Sequence, residues 1–217
     1  MIATRPRITH LILVLLAVAA ACLAEDLKAI ALPAPDTTGG EPLMQALKNR
    51  QSTREFSSEK LPIVTISNLL WAAWGINRPD SGKRTAPSAS NREEIEIYVA
   101  SASGLYLYEA KEHRLQPVLS ADLRAQTGTQ AYVGTAPLNL VYVADFAKMG
   151  SESAEDKIFY SACDTGFIAQ NVYLFSASEG LATVVRGSVD RSALAKAMHL
   201  RPEQHITLAQ TVGYPAR

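Results

Sequence analysis

The chain has 217 residues, and 21 basic side chains balance 21 acidic ones, so its formal net charge is zero. That balance leaves no electrostatic footprint for nucleic acid or an anionic membrane surface. Cys22 and Cys163 are the two cysteines, which rules out a cysteine-rich zinc module. In chain order, Arg5 and Arg7 precede an unbroken apolar run from Leu11 to Ala21. A basic start and a run too short to span a bilayer comfortably predict a signal peptide over residues 1–24, cut after Ala24. The expectation is an exported, periplasmic protein. Two other arrangements stay open: lipidation at Cys22, although Ala19-Ala20-Ala21-Cys22 is a poor lipobox, or an uncleaved membrane anchor. Pro6 separates the two arginines, so no twin-arginine signal is present. Removing residues 1–24 leaves 19 basic against 21 acidic residues, a net −2, and Cys163 as the one thiol. An intramolecular disulfide is then impossible, and Cys163, in an apolar helical pattern, is expected to be a buried, inert thiol.

Residues 25–40 carry Pro33, Pro35, Gly39 and Gly40 without a period and read as a linker. Residues 41–217 then form one domain, long enough for a sizeable core. Glu41-Pro42 opens a short helix with Pro near its first position, running to about Lys48. The stretch Asn49 to Phe56 follows, with Arg50 and Arg54 four residues apart and Ser52 midway. Guanidinium forks suit phosphate oxygens bidentately, and Ser52 can add a hydroxyl donor. A solvated basic turn at a helix end fits the same residues. Leu61-Pro62 begins a second helix whose Ile66, Leu69, Leu70, Ala73 and Trp74 recur at helical spacing, and Gly75 closes it.

Asn77 to Asn91 reads as a long polar loop. Its end, Pro87, Ser88, Ala89, Ser90 and Asn91, can set backbone N–H groups and one carboxamide against a planar heterocycle. It can equally be an ordinary loop with an Asn cap. Glu94 to Ala100 alternates and predicts a half-buried strand, with Ile95, Ile97 and Val99 inward and Glu96 and Tyr98 outward. Ser103-Gly104 turns into a second strand over Leu105–Glu109. His113 in the next turn is expected to be solvated. Ala121–Ala131 has helical character. Pro137 to Ala144 is the most apolar strand and belongs at the sheet centre, with Pro137 confined to its first position. Residues 152–179 form the longest helical pattern, apolar nearly all round, as in a core or a subunit interface. A strand at Leu181–Val185 leads to Arg186-Gly187. A helix over Asp190–Met198 with an Asp cap and a strand over Ile206–Val212 complete the chain. Helices and strands mix without strict alternation, so the fold class is α+β.

No nucleophile elbow, zinc-binding His-Glu-x-x-His, P-loop or Gly-x-Gly-x-x-Gly is present. His113, His199 and His205 sit in surface or helix-end contexts. A chain this poor in acid–base machinery can take its chemistry from a cofactor.

Arg50-x-Ser52-x-Arg54-x-Phe56 resembles the signature of the FMN-dependent nitroreductase family. Pro87-Ser88-Ala89-Ser90-Asn91 before a strand is similar to its second flavin-contact segment. The long helix ending in Glu179-Gly180-Leu181, then a strand and Arg186-Gly187, is similar to its third. Val212-Gly213-Tyr214-Pro215 is similar to its closing strand and turn. The form Arg84-Thr85-Ala86-Pro87-Ser88-Ala89 also resembles the SagB-type branch. The resemblance implies a mixed, mostly antiparallel sheet flanked by helices and a homodimer built on the long helix, with FMN at the subunit interface. Arg50, Ser52 and Arg54 would hold the phosphate and ribityl end. Pro87, Ser88, Ala89 and Asn91 would meet the ring edge, and the backbone of Arg186 and Gly187 would lie beside N5. Arg217 is the implied second phosphate ligand. The implied activity is ping-pong hydride transfer from NADH, NADPH or another donor to a nitroaromatic, quinone or similar acceptor. The alternatives are an exported flavin carrier or sensor without turnover, a degenerate protein of the same fold that has lost flavin and serves a structural or interaction role, and a SagB-like azoline dehydrogenase. Glu93 stands where the family often has Gln, and a cation at Arg186 is unusual beside N5, where it would raise the flavin potential.

Overall fold

The computed structural model describes residues 27–216; the expected signal segment and Arg217 lie outside the described residues. The centre is a seven-stranded sheet in the order β1-β6-β5-β4-β7-β9-β8. The strands are β1 (Ile30–Ala31), β4 (Ile95–Ser101), β5 (Gly104–Glu109), β6 (Arg114–Leu119), β7 (Leu138–Asp145), β8 (Ala182–Arg186) and β9 (Gln204–Gly213). Every pairing in it is antiparallel. Four α-helices accompany it: α1 (Leu43–Asn49), α2 (Ile63–Trp74), α3 (Ala154–Ser178) and α4 (Arg191–Ala197).

The run Leu138 to Ala144 behaves as its composition predicts. β7 is buried at every position and sits between β4 and β9. Alternation sends Leu138, Leu140, Tyr142 and Ala144 to a core under α2 and α3, and Val141 and Val143 to a second core under α4. β4 feeds both cores as well. Ile95, Ile97 and Val99 join the first, whereas Tyr98 and Ala100 join the second. The half-buried reading of this strand is therefore corrected: α4 and β5 side chains cover its outer face.

α3 is capped by Ser153, whose hydroxyl accepts the Asp156 N–H at 3.0 Å, and Glu155 and Asp156 lie in its first turn, where the helix dipole favours anions. Its inner stripe is Ser161, Asp164, Thr165, Ile168, Ala169, Val172 and Ser176. The expectation of a helix covered on all sides meets a different arrangement in the single chain: Ile158, Phe159 and Phe167 are 62 %, 61 % and 48 % exposed.

Other corrections follow from contacts distant in sequence. The expected linker holds β1, whose Ile30 and Ala31 pair with Leu115 and Arg114, and Leu32 is buried. The polar loop after α2 contains a hairpin of β2 (Ile76–Arg78) and β3 (Lys83–Arg84). The helical reading of 121–131 gives way to tight 3-10 turns at Arg124–Gln126 and Ala131–Gly134. His113 is not solvated. Its ring meets the Ser67 hydroxyl at 2.7 Å, Pro33 O at 3.1 Å and the Tyr108 hydroxyl at 3.1 Å. Burial holds its pKa below the usual histidine range.

Gly104 is the sharpest turn constraint. Its φ is +139°, and a Cβ there would lie 2.5 Å from Leu119 O on β6. Gly104→Ala should cost about 2 kcal/mol through strain and clash. Scanning calorimetry should show a melting temperature lower by roughly 4–8 °C; an unchanged value would remove this turn as a constraint.

Candidate functional site

The segment after α1 is pinned at three points. Arg50 N–H bonds Ala46 O at 2.9 Å and ends the helix. Thr53 N–H bonds Thr183 O on β8 at 3.0 Å, and Phe56 bridges Pro215 and packs on Tyr132 at 5.3 Å. The backbone between these anchors presents Arg50, Ser52 and Arg54 along one end of β8.

Tyr173 on α3 organises that end. Its hydroxyl accepts the Val185 N–H at 2.9 Å and lies 2.9 Å from Ser52 Oγ. Either hydroxyl can be the donor in the Ser52–Tyr173 contact, since a phenol oxygen has two lone pairs and can accept from the amide and the serine at once. The Arg50 guanidinium lies 5.3 Å from the Tyr173 ring centroid, a cation–π distance. Arg54 is exposed. Among the described residues neither arginine is in an ion pair.

At the end of β8, Gly187 is exposed, and the Arg186 side chain turns inward, 4 % exposed. Its guanidinium donates to Thr211 Oγ1, to Thr127 O and Oγ1 at 3.1 Å each, and to Asn139 Oδ1 at 3.2 Å. The Tyr132 ring stands 6.0 Å away. The cation expected beside N5 is thus inside the fold, held by neutral acceptors. Burial lowers its pKa, but a guanidinium stays charged. Gly128 is required above it, since a Cβ there would meet Arg186 Nε at 2.7 Å.

The loop at Pro87–Asn91 is a tight, strained turn. Ser90, Asn91 and Glu93 have φ of +52°, +53° and +50°, a left-handed region that non-glycine residues seldom occupy. The Ser88 hydroxyl accepts the Glu93 N–H at 3.1 Å, and the Asn91 amide donates to Glu93 Oε1 at 3.3 Å. Glu93 also pairs with Arg84 at 2.8 Å. Ala89 N–H donates to Asp164 Oδ2 on α3 at 2.8 Å.

Two candidate half-sites are thus tied to one helix. Asp164 holds the loop, and Tyr173 holds the Arg50 segment. Nine residues of helix separate them by roughly 14 Å along the axis and half a turn around it. They face opposite ways. Two cavities, of about 560 and 530 Å³, are lined by neither Arg50, Arg54 nor residues 87–91.

A family model for the nitroreductases matches residues 47–214. The chain belongs to the nitroreductase family. A Methanocaldococcus jannaschii protein named as a nitroreductase is 30 % identical over 156 residues, 67 % of this chain and 78 % of that protein. A crystal structure of a Ralstonia eutropha JMP134 protein, also named as a nitroreductase, is 44 % identical with a TM-score of 0.85, covering 90 % of this chain and 93 % of that one. A Desulfovibrio desulfuricans nitroreductase-named structure in complex with FMN shares the fold at 21 % identity and a TM-score of 0.59, covering 82 % of this chain and 89 % of that one. The α+β fold with its large antiparallel sheet is that of the nitroreductases, and the chain is an oxidoreductase of that family.

Of the residues singled out in the sequence, Arg50 and Ser52 lie beside Tyr173 and Ala89 is bonded to Asp164, whereas the Arg186 side chain turns into the fold and Arg217 lies outside the described residues. Two residues that shape the half-sites were not foreseen. Tyr173 read as one more apolar residue of the long helix. Asp164 interrupts that helix's apolar pattern, and an acid at such a position is a signal that sequence alone could have offered.

Proposed function

We propose that the chain is an FMN-dependent oxidoreductase working as a homodimer, with a reduced nicotinamide or similar donor and a nitroaromatic, quinone or related acceptor. The observation that carries this is the open end of β8. Two guanidinium groups that form no ion pair among the described residues flank the Ser52 hydroxyl, a donor set that suits a phosphate monoester. Gly187 presents bare backbone at the strand end, so a flat ring can approach closely. Bound FMN would supply two-electron chemistry at N5.

In this reading Arg50 and Arg54 bind the phosphate, Ser52 donates to it or to the ribityl chain, and Arg217 adds a third cation. The backbone at Arg186 and Gly187 lies beside N5. Pro87, Ser88, Ala89 and Asn91 shape the ring edge. Solvent provides protons, so no side-chain acid is required. The half-sites face opposite ways on α3, and a second copy of the chain would bring one loop to the other's arginines. Exposed Phe159 and Phe167 on α3, with Leu43 and Met44 on α1 at 62 % and 74 % exposure, supply apolar surface for that contact. No helix among the described residues is long and apolar enough to cross a membrane; export by residues 1–24 is part of the proposal.

The visible spectrum of the purified protein tests the reading. Flavin absorption that bleaches with NADH or NADPH is expected. A colourless protein that takes up no added FMN would overturn it. Phe159→Glu combined with Phe167→Glu should convert the dimer to a monomer and release FMN, measured by light scattering after gel filtration. A variant still dimeric and yellow would place the interface elsewhere.

A further inference from the structure

Glu94, just before β4, is completely buried, and neither carboxylate oxygen has a hydrogen-bond donor. Asp164 on α3 is 2 % exposed, and its carboxyl lies within hydrogen-bonding reach of Glu94. The cations nearby are committed elsewhere. Lys148 reaches Glu96 Oε1 at 3.2 Å and Glu93 O at 3.4 Å, Arg92 pairs with Glu152, and Arg84 with Glu93. Lys148 acts on Glu94 at longer range only, as the smallest of the influences on it. Two buried carboxyls in contact cannot both ionise cheaply, and a single proton between them turns one into the donor that the other lacks. Burial, with Asp164 adding to it, pushes the Glu94 pKa up to about 7.

Asp164 spends its Oδ2 on the Ala89 N–H at 2.8 Å. That bond is the side-chain tie between α3 and a loop holding three left-handed residues, a shape that must be imposed from outside. We propose that Glu94 and Asp164 share one proton and together form the clamp that positions the Pro87–Asn91 loop on α3. They are positioning residues. Their purpose for an FMN ring edge rests on the function proposed above; the clamp itself rests on the carboxyl pair. Losing the shared proton sets two anions against each other beneath Ala89 and loosens the loop.

The sign of the pH dependence follows from the raised pKa. Glu94 stays protonated in the folded chain while the unfolded chain ionises at its ordinary value of 4.5. This contribution to stability is fully present below pH 4.5, falls as pH rises toward about 7, and is constant above it. Opening of the loop should increase by up to about tenfold per pH unit between 4.5 and about 7 and level off above that.

The test uses the full chain without FMN. Thermal unfolding and amide-exchange protection at Ala89 are followed from pH 4.5 to 8.5 for the natural protein, Glu94→Gln and Asp164→Asn. The natural protein should lose both melting temperature and protection between pH 4.5 and about 7, with both levelling off above that. Glu94→Gln should flatten both profiles. Asp164→Asn keeps an acceptor for Ala89 N–H and supplies a donor to Glu94, so it should flatten the loss of protection between pH 4.5 and 7 as well, and it decides the matter if Glu94→Gln does not fold. Superimposable profiles for the natural protein and the folded variants would overturn the clamp. FMN affinity by fluorescence quenching is measured separately. Its absence would sink the flavin reading while the exchange profiles still report on the clamp.

Discussion

Replacing Arg50 and Arg54 together by alanine should abolish FMN retention and leave a folded dimer. Each charge-assisted contact to a phosphate is worth about 1.5–3 kcal/mol. Losing both removes roughly 3–6 kcal/mol, which weakens binding on the order of a hundredfold to ten-thousandfold. The fold should survive because the segment is anchored by backbone, through Thr53 on Thr183 and Ser57 on Tyr214. Arg54 is exposed, and Arg50 contributes a cation–π contact to Tyr173. That contact is worth about 0.5–1 kcal/mol at an exposed site. Ser52→Ala should be milder, about tenfold, since one neutral hydrogen bond is lost. Flavin absorbance after gel filtration, with circular dichroism as the fold control, reads the outcome. A double variant that keeps its flavin would place the phosphate elsewhere.

The second large effect is expected at Arg186. Arg186→Met keeps much of the volume but strips the donor from Thr127 O, Asn139 Oδ1 and Thr211 Oγ1, three buried acceptors joined to β7, β9 and the turn before Ala131. Buried polar groups left unpaired cost about 1–3 kcal/mol each. Asn139 Oδ1 still accepts the Thr211 hydroxyl proton, which limits the loss. A total of about 4 kcal/mol is expected, or roughly 8–16 °C in melting temperature for a domain of this size. Arg186→Lys keeps the charge but cannot fork to three acceptors. It should recover only part of the loss. A lysine variant as stable as the natural protein would mean that charge, not the hydrogen-bond set, is what the site needs.

The legible parts of the fold were those whose signal is local. β7 is an apolar run, α3 has 25 residues of helical pattern, Asp190 caps α4 by accepting the Ala193 N–H at 3.0 Å, and Gly75 ends α2. What escaped was built from distant contacts. β1 is two residues long and exists because β6 offers it an edge. β6 itself is broken in pattern by Pro117, which sits opposite Tyr106 beside a register shift. The arginine–serine segment and the loop were visible as motifs. The Tyr173 hydroxyl under Ser52 and the Asp164 carboxyl under Ala89 were not, because each joins residues more than 70 positions apart. The inward turn of Arg186 was equally hidden. Its acceptors come from three separate elements, and no spacing in the chain announces them.

The nine-residue interval between Asp164 and Tyr173 has a consequence for how this chain can change. One residue inserted there would swing one half-site by about 100° relative to the other, and two residues by about 200°. A seven-residue insertion would bring the phase back to within about 20°, but only by lengthening the spacing by roughly 10 Å. The helix is thus a gauge in both angle and length. Side chains that touch neither a half-site nor the proposed dimer contact are open to drift, whereas the residue count between those two positions is fixed.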